Sequence, residues 1–142
     1  MAAADTFDSQ TADRVAHFFR VATFVHATGV RFAGCGPGWC ETTLDFEPRH
    51  AQQDGFVHAG VLATMADHTA GGAAGTCARA DQGVLSVEFK INLLSPVSGG
   101  TCVATAEIRS MSRRLAVVSI SIENNDRLVA LAQGTSTIVA PK

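Results

Sequence analysis

A lone carboxylate, Asp67, interrupts a stretch of small and apolar residues and is the first candidate for chemistry in this sequence. The stretch His58–Arg79 reads HAGVLATMADHTAGGAAGTCAR. An aspartate is rarely buried unless it is paired or functional. The residues one helical turn away on its own face supply no cation; they are Ala63, Thr64, Ala70 and Gly71. Asp67 therefore either finds a hydrogen-bond partner on another element or is held ready for proton transfer or nucleophilic attack.

The same stretch predicts a central helix buried against a sheet. Val61, Leu62 and Met65 recur at helical spacing, and the run is too long for a strand. Gly71 and Gly72 each disfavour a helix by about 1 kcal/mol relative to alanine. Close backbone packing is the usual compensation, so we expect this helix to lie tightly against its neighbours.

The composition indicates one folded domain, residues 1–142. The chain is 46% hydrophobic and 17% charged, which suits a full core. A net charge of −2 gives no support for a nucleic-acid or anionic-membrane partner. No secretory signal and no membrane-spanning apolar run is visible, so a cytoplasmic protein is expected.

The cysteines argue against a metal or redox centre. Cys35, Cys40, Cys77 and Cys102 form no CxxC pair. We expect reduced thiols, mostly in the core, and no metal site.

An N-terminal helix and six strands should surround the central helix. Residues 1–8 are expected to be frayed, and Ser9 or Thr11 to cap a helix that ends near Arg20. The apolar side of this helix would carry Val15, Phe18 and Phe19. The predicted strands are Phe24–Phe32, Trp39–Phe46, Val84–Leu94, Thr101–Arg109, Leu115–Ile122 and Leu128–Val139.

Turns and side-chain alternation complete the predicted architecture. Residues 34–38 are a predicted turn, and Gly134 is a candidate bulge. In the strand 84–94, the odd-numbered apolar residues should share one face, and Ser86 the other. Long runs of strands with short turns indicate an antiparallel sheet. One long helix wrapped by such a sheet is the α+β hot-dog arrangement.

Three segments resemble the PaaI-type hot-dog acyl-CoA thioesterases over about residues 20–140. VHAGVLATMADHTAGGAA resembles the family helix VHGGVLATLADxAxGxAA. SVEFKINLLSPV resembles the strand after it, and SRRLAVVSISI the next-to-last hairpin. The resemblance implies hydrolysis of an aryl- or medium- to long-chain acyl-CoA. It implies no metal and no organic cofactor, because coenzyme A is part of the substrate.

The resemblance also implies roles for the central helix. Asp67 would activate a water or attack the thioester carbonyl itself. The helix start, at Ala59 and Gly60, would supply backbone N–H groups to the oxyanion. The family usually has glycine where this chain has Ala59, and the added methyl would narrow the hole without removing the donor.

Further site residues follow from the same resemblance. Gln52, with Gln53 as the register alternative, would orient the water or the thioester, and Ser86 would assist Asp67. His58 is expected to cap or pack beside the site. Gln52 could equally be a solvated loop residue, and Ser86 an ordinary sheet hydroxyl. His68 is expected to face a different side from Asp67, as a packing or interface residue.

Basic residues would contact the phosphates of coenzyme A. Arg113 and Arg114 lie in a predicted hairpin turn, and Lys90 lies on a strand. Arginine suits phosphate because it presents a fork of donors. A solvated charged turn is the alternative.

The spacing of Ala59 and Asp67 predicts a shared site. Eight residues on a helix correspond to about 12 Å, so one thioester carbonyl cannot touch both groups in one subunit. We therefore expect a homodimer with antiparallel central helices and shared active sites, in agreement with the family. Family habit suggests a dimer of dimers, hence a homotetramer.

Two other functions compete with hydrolysis. A non-catalytic acyl-CoA sensor could use the same fold, although Asp67 and the lack of a DNA-binding helix argue against it. A hot-dog hydratase or dehydratase would need an Asp–His pair in a different loop motif, or a His with a Glu on the helix. Neither pattern is present.

Overall fold

The 17-residue helix Ala59–Gly75 packs across one face of a six-stranded antiparallel sheet. The computed structural model describes residues 7–140. The helices are α1 (Ser9–Val21), α2 (Thr23–Thr28) and α3 (Ala59–Gly75), with a 3-10 turn at Pro48–His50. The strands are β1 (Arg31–Gly36), β2 (Trp39–Asp45), β3 (Gly83–Leu93), β4 (Thr101–Met111), β5 (Leu115–Asn124) and β6 (Arg127–Val139). The predicted α+β arrangement, with one helix wrapped by one sheet, is confirmed.

The sheet order β1-β2-β4-β5-β6-β3 places β3 at an edge. The core lies between α3 and the inner face of the sheet and includes Met65 and Ala66 of the helix and Leu44 and Ile120 of the strands. The predicted alternation of β2 is confirmed, since Cys40, Thr42 and Leu44 are buried.

The N-terminal helix is confirmed, but its predicted cap is wrong. Asp8 Oδ1 accepts hydrogen bonds from the Thr11 N–H (2.8 Å) and the Thr11 hydroxyl (2.9 Å), so Asp8 is the N-cap. These two hydrogen bonds favour the charged carboxylate and lower the pKa of Asp8. Residues 1–6 of the expected frayed tail lie outside the described residues.

The predicted strand Phe24–Phe32 is wrong. Its first half is the helix α2, and β1 begins only at Arg31. Val25 is buried while Phe24 is 70% exposed, so this short helix anchors one face against the core. Gly29 takes the left-handed conformation, φ 84°, that commonly ends a helix. The turn predicted at residues 34–38 shrinks to Pro37 and Gly38, because β1 continues to Gly36.

The predicted faces of β3 are also wrong, because a bulge interrupts its alternation. Ser86 pairs with Ser136 and Glu88 with Thr135, so Val87 has no partner in the register. Val84 and Ile91, of opposite parity, both pack against the core beneath α3. The bulge thus puts Ser86 on the helix-facing side of the strand. The irregularity belongs to β3 and not to Gly134, which pairs regularly with Phe89.

Candidate active site

Asp67 and Ser86 meet where the middle of α3 crosses the edge strand β3. The Ser86 hydroxyl donates a 2.6 Å hydrogen bond to Asp67 Oδ1. Asp67 is half-buried and Ser86 is exposed at the sheet edge. No hydrogen bond from the described residues engages Asp67 Oδ2. One carboxylate oxygen is therefore fixed and the other is available to a reactant.

A cavity of about 280 Å³, here called the Asp67 cavity, opens beside this pair. Its walls come from α1, α3 and β3 and include Phe18, Phe19, Asp67, His68, Gly71 and Ser86. The sequence predicted Phe18 and Phe19 only as the apolar side of α1. Nothing in an amphipathic stripe shows which distant residue it faces, so their place beside Asp67 could not be read from it.

His68 also lines the Asp67 cavity, and its expected packing role is confirmed. Its ring meets the ring of Phe19 edge-on, with centroids 4.6 Å apart and planes at 88°. Its Nε2 is buried and has no hydrogen-bond partner among the described residues. Burial lowers the pKa of His68, against a smaller opposing effect of the Asp67 charge. The neutral imidazole thus forms part of the wall.

The start of α3 has one uncommitted backbone donor. His58 Nδ1 accepts a 2.8 Å hydrogen bond from the Gly60 N–H, so the expected capping role of His58 is confirmed. The Val61 N–H donates to the His58 carbonyl at 2.9 Å. Within residues 7–140, no hydrogen bond engages the Ala59 N–H. Ala59, and not Gly60, keeps the free donor.

The chain does not bring the helix start to Asp67. A different cavity, of about 320 Å³, lies at that end of α3 and is lined by His58, Gly60 and Thr64. Gln52 is occupied within its own turn, where its Oε1 accepts from the N–H groups of Asp54 and Phe56. Gln53 Nε2 donates to Asp54 Oδ2 at 3.0 Å. Among the predicted site residues, the fold joins only Ser86 to Asp67 within one subunit.

The predicted phosphate contacts separate into two groups. Arg113 and Arg114 line a cavity of about 440 Å³ together with Arg79 and Gln82. Arg79 was not identified from the sequence as a neighbour of these arginines, because it follows the central helix and lies far from them in the chain. Lys90 lies in another cavity, where its Nζ donates to Asn92 Oδ1 at 2.9 Å. Because the bulge shifts the register of β3 before Lys90, this side chain lies on the strand face away from α3.

The cysteines, the possible metal ligands and the helices bear on whether the described residues hold a further site or a membrane segment. All four cysteines are free, with Cys40 and Cys102 buried, and burial raises the pKa of both thiols. No group of three His, Cys, Asp or Glu residues within 7–140 could hold a metal ion. In the same range no helix combines the length and apolarity needed to cross a bilayer.

Comparison with known proteins places this architecture among enzymes. A family model described as the thioesterase superfamily matches residues 54–131. Human acyl-coenzyme A thioesterase 13 is 28% identical over 109 residues, covering 76% of this chain and 77% of that protein. The crystal structure of a thioesterase family protein from Silicibacter pomeroyi matches with a TM-score of 0.87 and 28% identity, over 92% of this chain and 98% of that one.

A second solved structure bears on the predicted fold. The PaaI protein from the phenylacetic acid degradation operon of Escherichia coli matches with a TM-score of 0.85 over 94% of this chain and 97% of its own. Because the identity is 23%, this similarity supports the fold alone. The predicted hot-dog fold and the resemblance to PaaI are confirmed.

Proposed function

This chain belongs to the thioesterase superfamily, and from that premise we propose that it hydrolyses an acyl-coenzyme A thioester with Asp67 as general base or nucleophile. The superfamily reaction is the hydrolysis of a thioester. The hydrogen bond between Ser86 and Asp67, at the wall of a cavity, carries the finer proposal. The name of the human relative supports coenzyme A as the thiol.

The Asp67 carboxylate is suited to either of two routes. As a base, its Oδ2 takes a proton from water while the water oxygen bonds to the carbonyl carbon. The carbon–sulfur bond then breaks, and the thiolate takes the proton from Asp67. As a nucleophile, the carboxylate itself displaces the thiol, and water cleaves the resulting anhydride. Ser86 holds Oδ1 in place in both routes.

The Ala59 N–H is the proposed donor to the oxyanion of the tetrahedral intermediate. It lies in the first turn of a 17-residue helix, where the helix dipole favours negative charge. Since the Gly60 N–H already binds His58, Ala59 supplies the donor. A preorganised N–H of this kind lowers the barrier because it needs no reorientation during the reaction.

A dimer would bring these separated groups together. The edge strand β3 exposes Leu85, Val87 and Leu93 by 59%, 56% and 52%, respectively. A long, apolar and exposed edge strand is a template for pairing with another chain. A second copy paired along β3 would cover this edge and set the two α3 helices antiparallel. Ala59 of one subunit, together with the nearby Gln52, would then approach Asp67 of the other.

The proposed coenzyme A contacts are Arg113 and Arg114, with Arg79 beside them. Three guanidinium groups around one cavity suit a pyrophosphate or a ribose phosphate. Lys90 is left out of the proposed contacts because it lies in a different cavity. Pairing of dimers into a homotetramer stays a prediction.

The direct test is Asp67→Asn, measured by release of free thiol from a panel of acyl-CoAs. Loss of the carboxylate should lower kcat about 10²- to 10⁴-fold. Asp126→Asn, at an exposed carboxylate in the turn between β5 and β6, is the matched control and should keep wild-type turnover. Circular dichroism checks that both variants fold. A folded Asp67→Asn protein with near-wild-type turnover would refute the assignment, and acyl-CoA binding without turnover in the wild type would indicate the sensor instead.

A further inference from the structure

Of the two adjacent glycines in α3, only Gly72 is explained by packing. A Cβ atom added to Gly72 would lie 2.6 Å from Cys40 Sγ and 3.2 Å from the Phe19 ring. A Cβ atom added to Gly71 would meet no atom within 4 Å outside its own helix segment. The expected close packing therefore accounts for Gly72, whereas no contact within one subunit accounts for Gly71.

Gly71 lies one turn after Asp67, on the same face of α3, and lines the Asp67 cavity. A glycine inside a helix is less favourable than alanine by about 1 kcal/mol. Its backbone adopts no left-handed conformation, because the glycines with positive φ are Gly29, Gly38, Gly55 and Gly100 among the described residues. Neither packing within the subunit nor backbone geometry requires a glycine at position 71. The absence of a side chain there leaves empty space beside Asp67.

We propose that Gly71 is a specificity-determining residue, which keeps the Asp67 cavity wide enough for an acyl group with an aromatic ring close to the thioester carbonyl. This inference rests on the proposed function. The cavity measures about 280 Å³, and an apolar cavity of roughly 150 Å³ is enough to bind benzene. Phe18 and Phe19 line it, and aromatic side chains pack favourably against an aromatic group.

A methyl group at position 71 would project into this space. A flat ring held near the carbonyl has few ways to avoid it, whereas a straight chain is narrow and can bend past it. One methylene in a substrate pocket changes selectivity roughly tenfold or more. The Gly71→Ala protein should therefore lose preference for the aryl substrate while gaining helix stability.

The experiment compares benzoyl-CoA with hexanoyl-CoA in the wild type, Gly71→Ala and Gly99→Ala. Gly99 also has open space around it, but it lies in the loop before β4, so it is the matched control. We expect the ratio of kcat/KM for benzoyl-CoA to that for hexanoyl-CoA to fall about tenfold or more in Gly71→Ala and to stay unchanged in Gly99→Ala. The Tm of Gly71→Ala should rise.

Binding gives a readout that does not depend on turnover. S-phenacyl-CoA and S-hexyl-CoA are thioethers that cannot be hydrolysed, and their Kd ratio should shift in the same direction in Gly71→Ala. A shifted Kd ratio in a protein without turnover would uphold the role of Gly71 while the proposed function fails. Unchanged ratios in both assays would overturn the inference. The inference would also be overturned if Gly71→Ala weakened the oligomer in native mass spectrometry and left both ratios unchanged. Gly71 would then be an interface residue and not a specificity residue.

Discussion

Ser86 and Asp67 stand 19 residues apart in the sequence, yet the Ser86 hydroxyl lies 2.6 Å from Asp67 Oδ1. The contact exists because the bulge at Val87 turns Ser86 toward α3. Its geometry suggests that Ser86 orients the carboxylate for reaction.

Replacing Ser86 with alanine should lower kcat about 10- to 100-fold, since a hydrogen bond to a charged group contributes about 1.5–3 kcal/mol. Threonine at position 86 keeps the hydroxyl and should restore much of the activity. Ser121→Ala, on the sheet face away from α3, is the control and should leave kcat unchanged. Equal activity of Ser86→Ala and the wild type would limit Ser86 to a structural contact.

Replacing Ala59 with proline removes the proposed oxyanion donor. Proline is tolerated in the first helical turn, so the fold should persist. We expect kcat to fall about 10²- to 10³-fold, as when an oxyanion donor is removed elsewhere. Ala59→Gly keeps the N–H and should retain activity. A fully active proline variant would show that the donor lies elsewhere.

Two inactive chains should rescue each other if each site is shared. Asp67→Ala and Ala59→Pro are co-refolded in equal amounts, and about half of the dimers are then mixed. Each mixed dimer has one site with both groups intact. Activity per chain should recover to about a quarter of wild type if pairing is unbiased and sites act independently. Mixed dimers seen by native mass spectrometry without recovery would place each site within one subunit.

A charge on the edge strand should separate the subunits. Leu85 is 59% exposed on β3, and Leu85→Lys would place an ammonium in the proposed interface. We expect a smaller species in sedimentation and a matching loss of thiol release. Arg127→Lys, on β6, keeps its charge and serves as the control. An unchanged assembly would exclude β3 as the interface.

The burial of His68 should appear in the pH dependence of folding. Because burial lowers the pKa of His68 in the folded state below the ordinary value of 6.5, the unfolded chain binds this proton more readily. Its contribution to the free energy of unfolding should therefore fall as pH drops below about 6.5. Urea denaturation of His68→Gln at pH 7 and pH 5 should show a smaller change than in the wild type. His17→Gln, at an exposed histidine, should behave like the wild type. An identical change in the free energy of unfolding between pH 7 and pH 5 in all three proteins would contradict the burial argument.

The sequence alone was enough to locate the central helix, the alternation of β2, the run of four C-terminal strands and Asp67 as a lone mid-helix carboxylate. These features depend on local spacing: helical recurrence around Met65 and strict alternation from Cys40 to Leu44 are written along a single segment. The capping role of His58 was also within reach, because it depends on a residue two positions away.

Features that depend on a partner distant in the chain arise only in the folded protein. Residues 24–28 form a helix in which Val25 is buried against the core. Ser86 faces Asp67 only because β6 sets the register that leaves Val87 unpaired, and an alternating pattern cannot reveal a bulge imposed by its neighbour. His68 and Gly71 likewise line the Asp67 cavity because α1 and β3 pack on either side of them. Local patterns specify elements because their interactions are local, whereas a cavity is defined by surfaces that meet only after folding.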